Sequence, residues 1–282
     1  MNYEFDFESW LDRLPLEPKH GRYSGDDITG PREICNNEWL RRGMADQFDW
    51  GEPVPIDIFI HSSGEPERRD CTKIGGVPYR PESKEWPTNS AGRSLALLAQ
   101  FDFSNSHDII GETLEELLLV FGDDSRGPIE ALHFEWQPHT DENLVKSVPE
   151  DALLVLPCFG SRCRTTSFPF AKPLWDDSYP KCNGLDVWSW YHIPTYQATQ
   201  IGRAPFLIQQ GDTDLPGHHL CTIASVQPHP WNSFPWLNVE KPICGPDEYP
   251  ADGDGNLMIG DLGCIHIMMD NDGNLKGTDS CY

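Results

Sequence analysis

The chain has 282 residues, 38% of them hydrophobic, and its 25 prolines and 24 glycines exclude a fold of long helices and favour short strands joined by turns. No apolar run approaches the roughly 18–20 residues that span a bilayer. The formal net charge of −24 disfavours DNA or RNA as a partner, because phosphate binding needs clustered Lys and Arg.

The charge is segregated. Residues 101–150 hold twelve acids against two bases, and residues 245–282 hold eight against one, while residues 151–200 are neutral. Two acidic blocks point to acidic faces rather than to solubility alone. The N-terminus carries acid where an export signal needs a basic and then an apolar stretch, so the expectation is a soluble, cytoplasmic protein. Its nine cysteines are odd in number and contain no CxxC pair, which predicts reduced thiols and neither a metal nor another cofactor.

In chain order, short helices are expected first. Residues 6–14 place Phe7, Trp10, Leu11 and Leu14 at helical spacing, and residues 36–48 place Trp39, Leu40, Met44 and Phe48 near one face behind two Asn caps. Strands are expected at 54–60, 94–103, 115–124, 131–137 and 152–159. In the fourth, Leu132, Phe134 and Trp136 alternate with His133, Glu135 and Gln137, as in a half-buried strand. Two further strands are expected within "HHLCTIASV" and "GDLGCIHIMMDNDG".

"TKIGGVPY" at 72–79 and "TQIGRAPF" at 199–206 share Thr, Ile, Gly, Pro and an aromatic in the same order. Each is followed by a turn-rich loop, a strand, a spacer and a buried strand with an acidic exit. This order predicts an internally duplicated α+β, largely β fold: a helical extension at 1–53, a first half at 54–160 and a second at 161–282. Gly75 and Gly76 before Pro78, and Gly202 before Pro205, read as rigid corners. A phosphate-cradling loop would need glycine and lysine context that both corners lack.

Gly75, Gly76 and Pro78, then Trp86 with Pro87, Leu98-Ala99-Gln100 and Phe121-Gly122-Asp123 together resemble the bacterial YwqG-like family, domain-of-unknown-function family 1963. In the second half Ile201, Gly202, Pro205 and Gln209, then Gly260, Asp261 and Gly263, are similar to that family's later motif. The chain departs from it at Ile259, where the family has Trp, and at "LCTIASV". The resemblance covers about residues 54–270. It implies a largely β, internally duplicated α+β fold, no catalytic residues to carry over, and an immunity or interaction role beside toxin systems.

Several constellations have a chemical and an ordinary reading. His218, His219 and Cys221 with His229 offer zinc ligands, but adjacent strand residues face opposite ways, and surface His with core Cys is the plainer reading. Cys158, Cys163 and Cys182 fit no standard zinc spacing. "DGDGN" and "DNDGN" begin like calcium loops yet lack the later ligands, and hairpin turns explain them better. Cys264 and His266 share one strand face, a possible nucleophile and base, with core Cys and satisfied His as the alternative. Trp188, Trp190, Trp231 and Trp236 lie in Pro-rich stretches suited to a contact platform.

The composite expectation is a non-catalytic protein-binding module, an immunity or accessory protein meeting a basic partner such as a toxin. Asp123, Asp124, Asp270 and Asp272 lie at or beside the contact. The alternative is a small-ligand binder or a hydrolase-type enzyme with a site between the halves.

Overall fold

The computed structural model describes residues 40–123, 132–140, 142–175, 181–182, 185–186, 193–206, 217–226, 257–260 and 263–281. The helix expected at 6–14 lies outside them. Of the one expected at 36–48, residues 40–43 are helical and Ala45–Gln47 tighten into a 3-10 turn. Its apolar residues Met44 and Phe48 are buried with Ile193.

The rest is mostly strand. In chain order these are β1 (Phe48–Asp49), β2 (Val54–Ser63), β3 (Lys73–Ile74), β4 (Ala96–Asp102), β5 (Leu117–Gly122), β6 (Leu132–Gln137), β7 (Cys158–Ser167), β8 (Lys172–Pro173), β9 (Lys181–Cys182), β10 (Leu185–Asp186), β11 (Gln200–Gly202), β12 (His218–Ala224), β13 (Cys264–Met269) and β14 (Leu275–Ser280). A short helix, α1 (His107–Ile110), sits between β4 and β5. β1 pairs with β8, β9 with β10, and the other ten form one antiparallel sheet ordered β14-β13-β12-β11-β2-β7-β3-β4-β5-β6.

The order has a centre. β2 and β7 pair along all ten of their residues, from Val54↔Ser167 to Ser63↔Cys158. Outward from β7 run β3, β4, β5 and β6; outward from β2 run β11, β12, β13 and β14. The connectivity after the two glycine corners is therefore the same. The registers correspond as well: Lys73 pairs with Gln100 and Ile74 with Ala99, while Gln200 pairs with Thr222 and Ile201 with Cys221. Each second strand also carries a bulge at the corresponding place, between Leu97 and Ala99 and between His219 and Cys221. A division at residue 160 cuts through β7.

One apolar cluster takes Phe59, Ile74, Phe101, Leu118, Val120, Cys158, Ile201, Ile223, Ile265 and Ile267 from both sides of the sheet. Side chains such as Leu118 and Val120 are fully buried, each contributing roughly 1.5–3 kcal/mol by leaving water. The sheet curls until its edges meet over this core. A Cβ on Gly277 of β14 would collide with Leu132 and lie 3.5 Å from the Phe134 ring, both on β6. Glycine is what lets the two edges close.

One expected strand is displaced. Residues 152–157 are irregular and β7 begins only at Cys158. The irregular stretch braces the first corner instead: Val155 O accepts from Gly76 N at 3.0 Å and Pro157 O from Gly64 N at 2.9 Å. Leu153 and Leu154, apolar in sequence, are exposed.

Candidate functional site

The corner at Gly75 and Gly76 has positive φ at both residues, 60° and 69°. A Cβ on either would strike Val155 O or the Glu65 carboxylate, so glycine is required there. Lys73 is fully buried, and its ammonium is held by Glu65 at 2.8 Å and by the Val77 carbonyl. Burial pushes the Lys73 pKa down, against the pull of Glu65.

Gln100 closes the arrangement. Its amide donates to Arg69 O and Cys71 O, both at 2.8 Å, and its oxygen accepts from Tyr79 N at 2.8 Å. Pro78 O accepts from Arg69. Trp86 donates to Leu95 O and packs edge-on against Phe121. Beside it the buried Arg80 guanidinium holds both Glu135 oxygens, at 2.8 and 3.0 Å. Burial raises the Glu135 carboxyl, but Arg80 outweighs this and holds it below its usual range. These motif residues are thus spent on positioning the corner.

The second corner does the same backbone work with other side chains. Gly202 has φ 147° and backs onto Ile56. Gln200, in register with Lys73's place, donates to Ala204 O at 2.6 Å, and its Oε1 is buried without a partner. Arg203, standing where the first corner has Gly76, donates to Ile110 O of α1 at 2.8 Å. Pro205 is half-buried, and Gly260 (φ 53°) lies against Cys281.

At the centre, Asp57 of β2 is fully buried. It receives Arg164 at 2.5 and 3.1 Å and Ser106 at 2.6 Å. Arg164 continues to Asp108 of α1 at 2.6 Å, drawing that carboxyl below its ordinary value. His61, four residues along on the same face, is fully buried with neither ring nitrogen bonded. Desolvation lowers its pKa to about 4.

A second polar line runs through the other half. His219 Nδ1 bonds Gly202 O, and His219 Nε2 lies 2.8 Å from Thr222 Oγ1. Thr222 Oγ1 is 3.0 Å from His266 Nδ1, and His266 Nε2 is 3.4 Å from Cys264 Sγ. The bulge in β12 makes this possible. It turns Leu220 and Cys221 together toward the core, so His219 and Thr222 share the opposite face. Burial, reinforced by His266, lowers the His219 pKa to about 3. Regular alternation would put His219 and Cys221, two residues apart, on one face; the bulge is what separates them. Among the described residues no three metal-binding side chains converge.

The acidic positions divide between two rims. Asp123 follows β5, and Asp270 and Asp272 follow β13. In the antiparallel order these strands stand an odd number of places apart and run oppositely. Their exits therefore leave opposite ends of the sheet's strands, matching rims rather than one cluster. Asp270 builds the β13–β14 hairpin. Its carboxylate accepts from Asp272 N, Asn274 N and Asn274 Nδ2 at 2.9, 2.8 and 3.0 Å, which lowers its pKa. The turn reading of "DNDGN" is the one observed. Asp272 is exposed and Asp123 half-buried. Asp124, Asp261, Trp188, Trp190, Trp231 and Trp236 lie outside the described residues, as do Cys244, His229 and "DGDGN".

The fold is that of a mostly β protein built on one curled, nearly closed sheet, with its glycine corner braced by Lys73, Glu65 and Gln100. Residues 72–158 match the family described as Domain of unknown function (DUF1963), with which the YwqG-like resemblance agrees. That span runs from just before β3 to the first residue of β7. No curated protein matches the chain.

Proposed function

We propose that the protein is a protein-binding module, in the manner of an immunity or accessory protein, that meets a basic partner through acidic rims. The observation that carries this reading is the disposition of its charges. Arg41, Arg69, Arg80, Arg162, Arg164 and Arg203 all turn onto internal backbone carbonyls or buried carboxylates, and Lys73 is buried. Glu52, Glu82, Glu112, Glu115, Asp270, Asp272 and Asp279 face solvent. Bases such as Lys84, Arg93, Lys146, Lys172 and Lys276 are exposed as well, but exposed carboxylates outnumber exposed bases on the described surface, and a net negative field steers a cationic surface toward it.

The test is binding kinetics of a labelled decalysine peptide, with decaglutamate as control, at low and physiological salt. The wild type should bind decalysine only, with an on-rate that falls with salt. Changing Asp123, Asp124, Asp270 and Asp272 to Asn should slow the on-rate severalfold and flatten its salt dependence. Changing either pair alone should remove one of two contact regions, since Asp123 and Asp270 follow strands that run oppositely. Unchanged on-rates in the folded fourfold variant would end the reading.

A further inference from the structure

We propose that Cys264 is a nucleophilic thiol with His266 as its base, held ready by Thr222 and His219 as positioning residues. The site is independent of the acidic rims, and its failure would leave the binding proposal untouched.

The argument is a count of protons along one line. Gly202 O can only accept, so His219 Nδ1 carries the hydrogen that reaches it. A neutral His219 has no second hydrogen, and its Nε2 must accept from the Thr222 hydroxyl. That hydroxyl has a single proton, now committed, so Thr222 Oγ1 accepts from His266 Nδ1. A neutral His266, in turn, presents the lone pair of Nε2 to Cys264 Sγ at 3.4 Å. One backbone carbonyl thus fixes the tautomer of a base three links away. A thiol nucleophile needs this arrangement: an adjacent imidazole acceptor whose far nitrogen is oriented by a third group.

Local folding enforces the geometry. Cys264 and His266 are two apart on β13 and share a face, and Thr222 sits directly across from His266 in the β12 register. Without the β12 bulge His219 would face the core. Cys221, one residue from Thr222 but on the core face, shows the contrast: burial alone acts on it and pushes its thiol well up.

The step balances without a further reactant. The Cys264 proton passes to His266 Nε2, the sulfur forms a bond to an electrophilic carbon, and the leaving group departs with its bonding pair. The substrate class is therefore a small electrophile with a leaving group on carbon. Small size follows from Cys264 being only 1% exposed. Phe206 packs on it, with Phe206 O 4.0 Å from Sγ.

Iodoacetamide is the probe, with iodide as leaving group, and peptide mapping reads each cysteine in the native full chain. Cys264 should be alkylated in preference to Cys221, at a rate nearly level between about pH 6 and 8. An unassisted thiol rises about tenfold per pH unit below its pKa. Phe206→Ala should accelerate the reaction. His266→Gln should restore the steep pH dependence, and Thr222→Val, nearly isosteric, should slow alkylation severalfold with the level profile weakened. Native protein and Phe206→Ala in which Cys264 stays unmodified would overturn the proposal. So would a rate that follows hydroxide and ignores Thr222→Val.

Discussion

Acidification from pH 7 to pH 5 should destabilise this protein through two histidines that the fold keeps neutral. His61 and His219 are fully buried, with pKa values lowered from 6.5 to about 4 and about 3. A base whose folded pKa is depressed contributes stability that is fully present above its unfolded pKa. That stability is lost as pH falls from about 6.5 toward the folded values. At pH 5 each unfolded imidazole is mostly protonated while its folded counterpart is not. At 1.36 kcal/mol per unit, that is about 2 kcal/mol per histidine and about 4 kcal/mol for the pair, a large share of a typical 5–15 kcal/mol. Carboxylates such as Asp108 and Asp270, whose pKa values are lowered, lose their contribution only at more acid pH. His107 acts with the opposite sign. Its pKa is raised by Gly111 O and Glu116, so its contribution is present below its unfolded pKa and fades as pH rises through the folded one. Urea unfolding at pH 7, 6 and 5 checks the argument. The midpoint should fall at constant slope, and His61→Phe should reduce the fall by about half. It should also leave the protein at least as stable at pH 7, because two unbonded buried nitrogens disappear. A midpoint that stays put between pH 7 and 5 would refute it.

Two further outcomes follow from buried polar groups. Arg164→Met should cost about 3 kcal/mol, at the low end for a broken buried pair because Ser106 and Arg162 still face Asp57 at 2.6 and 3.5 Å; adding Asp57→Asn should recover much of it in a double-mutant cycle. Gln100→Ala should cost about 3–4 kcal/mol in urea unfolding, since it orphans Arg69 O, Cys71 O and Tyr79 N at once.

The strands most legible in the sequence are those with an apolar pattern, alternating where one face is buried and continuous where both are. β6 shows its alternation, and β4, β5, β12 and β13 show as apolar runs, each within a few residues of its place. β7 was hidden because its inward positions include Gly160, Arg162 and Arg164. Gly160 is small because a Cβ there would strike the Phe59 ring, and the arginines are there for Asp57 and Asn105 O. An inward arginine reads as solvent-facing until its buried partner is known, and that partner is 107 residues away. β14, "LKGTDS", is an edge strand in which only Ser280 is buried, and it carries almost no apolar signal.

The candidate site was half legible for a similar reason. The i, i+2 spacing of Cys264 and His266 is visible in one strand. Thr222 and His219 become their partners only through cross-strand register and a bulge, neither of which a linear sequence records. The two corners make the point from the other side. Both hold a glycine turn against the central strand pair, yet one uses Lys73, Glu65 and Gln100 and the other uses Gln200, His219 and Thr222. At the register position of Gln100, which bonds three backbone groups of its own corner, Thr222 instead donates to His219 and accepts from His266. The backbone task is constant and the side-chain solution is free. Side chains around the second corner are therefore released for the thiol and imidazole line, while Lys73, Glu65 and Gln100 around the first are consumed in holding it.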